Sequence, residues 1–364
     1  MVEGTIAPVV DPPNRRRPRY RGRNPRRFDE RYKERDPERF PETVAKVVSS
    51  GRTPAGSHRP VLVEEVLAAL RPAPGLVAVD ATLGHGGHAA ELLPRLLPGG
   101  RLLGLDADPV ELPKTEARLR GLGFGEESLT VRRSSFAGLP KVLGELGLPS
   151  VALVLADLGV SSMQLDDPAR GFTFKADGPL DMRMNPSRGL SAADLLARIS
   201  RERLATLLRE NSDEPYAEAI TSSLVASRSR MPITTTLALA AAVREALAAL
   251  PARVREEAGD DPVRRTFQAL RIEVNDELGA LRTFLAALPS CVAPGGRVAI
   301  LTFHSGEDRL VKKAFQTGAR EGIWAEWSRE PVRPGPEEIR ANPRSRPAKL
   351  RTALRAGAAA SRTA

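Results

Sequence analysis

Apolar and polar positions fall into blocks along the chain, and the spacing within the blocks changes. Residues 59–72, "RPVLVEEVLAALRP", repeat apolar side chains at helical intervals and end on a proline, which predicts a helix. Short apolar runs then alternate with helical patterns. The runs 76–81, 101–106, 129–134 and 151–159 read as strands, and 89–97, 111–122 and 139–146 read as helices. Strands alternating with helices imply a parallel sheet covered on both faces.

The rhythm breaks after residue 162. Between 163 and 262 no strand pattern occurs, and a turn-rich polar stretch leads into helical patterns at 191–199, 201–209, 216–227 and 234–250, with Ser191 placed to cap the first. A long amphipathic run, "RTFQALRIEVNDELGALRTFLAAL", follows, and "GGRVAILTF" reads as a turn into another strand. The expected organisation is one doubly wound α/β domain with an α-helical insertion. Its divisions are 1–50 as a disordered basic arm, 51–162 and 263–327 as the two parts of the α/β domain, 163–262 as the insertion, and 328–364 as a basic C-terminal segment.

Charge sharpens this outline. The 364 residues carry a net +10, concentrated at the ends: residues 15–40 hold twelve basic against five acidic side chains, and 328–364 hold nine against three. The first segment is rich in arginine and proline and poor in aliphatic residues, so it cannot build a core. Such arms suit phosphate binding, with Tyr20, Phe28 and Tyr32 available for stacking. One cysteine, Cys291, permits no intrachain disulfide and fits a reducing compartment. No apolar run reaches the ~20 residues of a membrane span, and no secretory signal pattern opens the chain, so a cytoplasmic protein is expected.

The stretch "DATLGHGGHAA" joins the first strand to the next helix. Gly84, Gly86 and Gly87 allow positive φ and close approach of a ligand to bare backbone at a helix N-terminus. Gly84-x-Gly86-x-x-Ala89 also fits a nucleotide-binding fingerprint, and Asp106, about twenty residues on at the end of the second strand, stands where ribose hydroxyls are gripped. A nucleoside-bearing cofactor is therefore expected. The histidines are few and scattered (His58, His85, His88 and His304), so they do not predict a metal site. His88 is expected to hydrogen-bond beside the cofactor instead.

Eight strings, among them "HRPVLVEEVL", "DATLGHGGH", "SSFAGL", "LADLGVSSMQLDDPARGFTFKADGPLDMRMN", "RTFQALRIEVNDEL" and "FHSGEDRLVK", occur in order over roughly four-fifths of the chain. They resemble the bacterial 16S ribosomal RNA (cytosine-N4)-methyltransferases of the MraW or RsmH type. The resemblance implies a Rossmann-like S-adenosylmethionine-dependent methyltransferase domain with an inserted α-helical domain, acting on a cytosine of 16S rRNA in the small ribosomal subunit. It implies cofactor contacts at Gly86, Gly87, His88, Asp106, Phe136, Asp157 and Gln164, and no metal.

The strand that ends in Asp157 reads "DLGV", with no adjacent aromatic to hold a base. Phe172 or Phe174 is the expected stacking residue, with Asp157 as acceptor for the substrate amine or as a cofactor contact alone. Asp181 and Arg183 are open between substrate contact and an internal ion pair, and a homodimer remains open as the assembly. Two other classes share parts of the pattern: a catalytically inactive RNA-binding or assembly protein, and an NAD-dependent oxidoreductase.

Overall fold

The computed structural model describes residues 60–357; the basic arm expected over 1–50 lies outside them. The alternating blocks form α1 (Val63–Leu70), β1 (Val77–Asp80), α2 (Gly87–Leu96), β2 (Arg101–Asp106), α3 (Leu112–Gly121), β3 (Leu129–Arg133), α4 (Leu139–Glu145) and β4 (Val151–Asp157). After a short helix, α5 (Ser162–Asp166), come α6 (Ala192–Arg198), α7 (Arg201–Ser212), α8 (Ala217–Arg230), α9 (Thr236–Leu247), α10 (Ala252–Ala258) and α11 (Asp261–Asn275). The chain closes with α12 (Glu277–Cys291), β5 (Val292–Thr302), α13 (Ser305–Arg320), β6 (Trp324–Trp327), α14 (Pro336–Ala341) and β7 (Lys349–Arg355).

The seven strands form one sheet in the order β3-β2-β1-β4-β5-β7-β6. Strands β1 to β5 are parallel, and β7 runs antiparallel to both of its neighbours. Side chains leave a strand on alternate faces, and both faces here are apolar. Along β4, Leu153 and Leu155 join the cluster under α1 and α2, whereas Val154 and Ala156 join the cluster under α4, α12 and α13. This is a doubly wound sheet, and the strand order reverses between β1 and β4, the position where such sheets open a ligand crevice.

A third core holds the helical layer together, from Phe172 and Leu180 through α6–α9 to Val263, Phe267 and Leu270 on α11. Ser191 caps α6 as expected and shares a capping box with Asp194. The long amphipathic run is two helices, not one, because Asp276 turns left-handed at φ 47° between α11 and α12. Helix α11, which runs past the expected boundary at residue 262, packs with the helical layer through Val263, Phe267 and Leu270. Likewise the C-terminal segment is more than a basic tail: it supplies β7, which sits between β5 and β6.

Candidate active site

The glycine loop between β1 and α2 is folded back over the sheet. The Leu83 amide donates to the Leu105 carbonyl (2.7 Å), and a Cβ on Gly104 would lie 2.8 Å from the Leu83 side chain, so glycine in β2 makes room for the loop. Gly84 and Gly86 take φ of 49° and 66°, a region costing other residues about 1–2 kcal/mol. Gly86 is also crowded: a Cβ there would stand 3.0 Å from Thr115 and from the Arg118 guanidinium. Gly87 opens α2, so the loop ends on free helical N–H groups.

Asp106 braces this loop. Its Oδ2 accepts from the Gly84 amide (2.7 Å) and its Oδ1 from the Asp108 amide (2.8 Å). Burial pushes its carboxyl above the ordinary range while those two amides oppose the shift. Its neighbour Asp108, which sequence reasoning passed over inside "GLDADP", is buried and accepts from Gln164 Nε2 and Arg170 (each 2.8 Å). Against the penalty of burial, Arg170 and Gln164 hold the Asp108 carboxyl below the usual range. Gln164 Oε1 takes the Ser161 amide (2.9 Å), so both ends of the Gln164 amide are bonded within the protein. Arg170 also donates to the carbonyls of Arg183 and Met184, and Asn275 holds the same turn through the Met184 amide and the Met182 carbonyl. The nucleotide side of the cleft and the helical layer are therefore tied together through one arginine and one asparagine.

At the switch point, β1 ends in Asp80 and β4 in Asp157. His88, on the first turn of α2, brings Nε2 to 3.7 Å from Asp157 Oδ2. Both His88 Nε2 and Asp157 Oδ1 are buried without a hydrogen-bond partner, an arrangement that costs free energy unless a further group completes it. Burial holds the His88 ring neutral, its pKa pushed down to about 4. Burial, together with the nearby charges of Asp80 and Glu307, pushes Asp157 up to about 8. Asp80 is itself pushed up to about 7, mainly by burial. Asp157 keeps 29% of its side chain exposed, so the carboxyl reaches the cleft.

Glu307 comes from the first turn of α13, just past the end of β5. It accepts from the Phe303 amide (2.8 Å) and lies 3.4 Å from His304 Nε2. Despite burial, the His304 ring, the Phe303 amide and Arg271 hold it below the usual carboxyl range. Glu277, His304 and Glu307 bring possible ligand atoms within 4.8 Å of one another, a cluster the sequence did not suggest. Both Glu277 oxygens, however, accept from Arg271 (2.8 and 2.9 Å), which makes this a buried ion-paired brace between α11 and α12.

The aromatic expectations fare differently. Phe136 follows β3 and packs edge-on to Phe284 with centroids 5.4 Å apart. Phe172 is 7% exposed within the helical core, and the Arg170 guanidinium lies 5.8 Å from its ring centroid. Phe174 packs edge-on to Phe267 with Arg244 over its ring. A base needs an open ring face, so we assign Phe172 a packing role and not a stacking one. Asp181 and Arg183 form a two-pronged pair at 2.9 and 2.6 Å, which holds their turn.

A doubly wound sheet with a glycine loop, a strand-end acid and unpaired polar atoms at the switch point defines a nucleotide-type cofactor-binding α/β enzyme. The chain belongs to the MraW methylase family, which residues 55–356 match. It is 50% identical over 347 residues to ribosomal RNA small subunit methyltransferase H 1 of Lachnoclostridium phytofermentans, covering 95% of this chain and 94% of that one. It is 48% identical over 342 residues to ribosomal RNA small subunit methyltransferase H 2 of Alkaliphilus metalliredigens, covering 94% and 97%. No helix among the described residues is long and apolar enough to cross a membrane.

Proposed function

We propose that this chain methylates the N4 amino group of a cytosine in 16S rRNA of the small ribosomal subunit, in the cytoplasm, with S-adenosylmethionine as methyl donor. The observation that carries the reading is the unsatisfied His88–Asp157 pair beside the glycine cradle. A buried histidine nitrogen and a buried carboxyl oxygen without partners fit a ligand with polar and cationic groups, and the left-handed turn at Gly84 and Gly86 sets the start of α2 beside them. When bound, S-adenosylmethionine supplies a methyl group made electrophilic by its sulfonium.

In this reading the Gly87 amide at the start of α2 holds the carboxylate of the methionyl part, Gly86, whose own amide donates to the Leu83 carbonyl, shapes the turn beside it, and His88 lines it. Asp106 takes the ribose hydroxyls with the lone pairs its two backbone bonds leave free, and Phe136 lies against the adenine. Gln164 acts indirectly by fixing Asp108 and the turn behind it. The cytosine amine is a poor nucleophile, because its lone pair is delocalised into the ring. Orientation therefore supplies much of the rate, and the brace of Arg170 and Asn275 serves that end. Asp157 accepts a hydrogen bond from the amine N–H, which restores density to the nitrogen, and it can hold the proton released after transfer. Without ligand, burial and the nearby acids push its carboxyl up to about 8, and a sulfonium held beside it favours the carboxylate that this task needs.

The test is mass spectrometry of nucleosides from small-subunit RNA incubated with pure protein and S-adenosylmethionine. Appearance of N4-methylated cytidine, lost in Asp157→Asn, is expected. Unmodified RNA despite measurable cofactor and RNA binding would favour the inactive assembly protein instead.

A further inference from the structure

The C-terminal part of α13 and the chain after the edge strand β6 enclose a groove of about 470 Å³, lined by Lys312, Gln316, Arg320, Trp327, Arg329 and Glu330 among others. Lys312, Gln316 and Arg320 are four residues apart in turn, so they form one stripe along the helix. Lys312, Arg320 and Arg329 are exposed. None of the three side chains has a hydrogen bond or ion pair among the described residues, although many other surface arginines of this protein are paired. Three unpaired cations around a concavity repel one another, and Glu330 is the one acid on its wall. Trp327 is half-buried and packs on the core at one side, which fixes the indole at the groove.

Cations that track a strand, with an aromatic plane between them, are the elements of a nucleic-acid groove. The placement agrees. Helix α13 starts beside Glu307 at the end of the sheet that carries Asp157. At 1.5 Å per residue, Lys312 lies about 8 Å and Arg320 about 20 Å further along its axis. The groove thus lies down α13 from the cleft, with Trp327 level, through Ala353, with Val298 in the interior of β5.

We propose that this groove is a second RNA contact, in which Lys312, Arg320 and Arg329 hold phosphates and Trp327 stacks a base, keeping the strand flanking the target cytosine on the protein. The proposal rests on the reading of the chain as an rRNA methyltransferase, and protein-free small-subunit RNA is its probe. The experiment compares the full-length protein with the triple variant Lys312→Gln/Arg320→Gln/Arg329→Gln. Binding is measured at several salt concentrations alongside S-adenosylmethionine affinity, and methylation is followed against RNA concentration.

Loss of three phosphate contacts should lower the slope of log affinity against log salt by about 2 and raise KM for RNA. The maximal rate and cofactor affinity should not change, which also reports that the variant is folded. A wild-type-like slope and KM in the variant, with the wild type active, would overturn the groove and leave the function standing. A variant impaired on intact small subunits but not on free RNA would make the partner a ribosomal protein and overturn it too. A wild type that neither binds nor methylates RNA would overturn both readings.

Discussion

Binding of a sulfonium ligand should expel a proton, and the structure sets the pH range. In the ligand-free protein Asp157 titrates at about 8, through burial and the charges of Asp80 and Glu307, while its other neighbour, His88, is neutral. At pH 6 the carboxyl therefore carries a proton. A cation held beside it favours the carboxylate, so each pH unit below 8 should cost about tenfold in affinity. From pH 8 down to pH 6 the loss is about a hundredfold, or about 3 kcal/mol. Asp80, at about 7, is coupled to Asp157, so the titration belongs to the pair and its step should be broadened.

The assay is calorimetry of S-adenosylmethionine binding between pH 6 and 9, repeated in buffers of different ionisation enthalpy to count the protons released. S-adenosylhomocysteine is the control, because its sulfur is uncharged while its amino and carboxyl groups are the same. Affinity for the sulfonium should rise with pH and level off above 8, with close to one proton released at pH 6 to 7. The thioether should show a much shallower dependence, and Asp157→Asn should remove the difference between the two ligands. Equal slopes for the two ligands would refute the reasoning, as would a flat profile for the sulfonium.

Gly86→Ala combines a left-handed φ with contacts at 3.0 Å, so cofactor affinity should fall at least about tenfold. Gly75→Ala, with φ 82° but open space around it, should cost stability and leave affinity intact, and calorimetry on the two variants separates loop geometry from general strain. Asp106→Ala removes the acceptor of two backbone amides and the proposed ribose ligand, so cofactor affinity should drop by the ~1.5–3 kcal/mol of a charge-assisted hydrogen bond and thermal stability should fall with it; unchanged affinity would take Asp106 out of the site. Phe172→Ala should cost about 3–5 kcal/mol in denaturant unfolding. If it abolishes methylation of RNA at unchanged stability, the ring stacks on substrate after all.

Much of the sheet was legible because its first four strands are short, apolar and separated by helices with ordinary boundaries. Strand β2 covers 101–106 in both readings. Two strands were missed, β6 and β7, and the same logic explains the second. β7 carries Arg351 in its interior, 2% exposed, where a run of basic residues reads as surface. The arginine is tolerated there because Asp308 accepts from its Nε at 2.6 Å and the carbonyls of Ser328 and Arg329 take one terminal nitrogen. Its partner lies forty-three residues earlier, and no local pattern announces such a pair. The break between α11 and α12 was hidden for a related reason: an aspartate takes the left-handed turn, without the glycine or proline that marks most helix ends.

The site shows the same division more sharply. The places of Asp106 and Asp157 at strand ends could be read from the sequence, and a parallel sheet opens its ligand crevice at that carboxyl edge. Their state could not. The charge of Asp157 depends on burial, on Asp80 at the end of the neighbouring strand and on Glu307 at the start of a helix 150 residues later, and Glu307 is held below the usual range by His304, by the Phe303 amide and, to a smaller extent, by Arg271. Arg271 comes from the helical layer and is held in place by Glu277. The inserted helices therefore do more than cover the cleft. Through Arg271 they bias the charge beside Asp157, and through Asn275 and Arg170 they fix the turn that backs the nucleotide side. A change at Arg271 should alter the pH dependence of cofactor binding although the residue is placed to touch neither cofactor nor base. Arg271→Met, by withdrawing one of the groups that hold Glu307 below the usual carboxyl range, should weaken the repulsion Asp157 feels and shift its titration modestly towards lower pH. The same calorimetric profile measures that shift, and an unshifted profile in a folded variant would sever the link between the helical layer and Asp157.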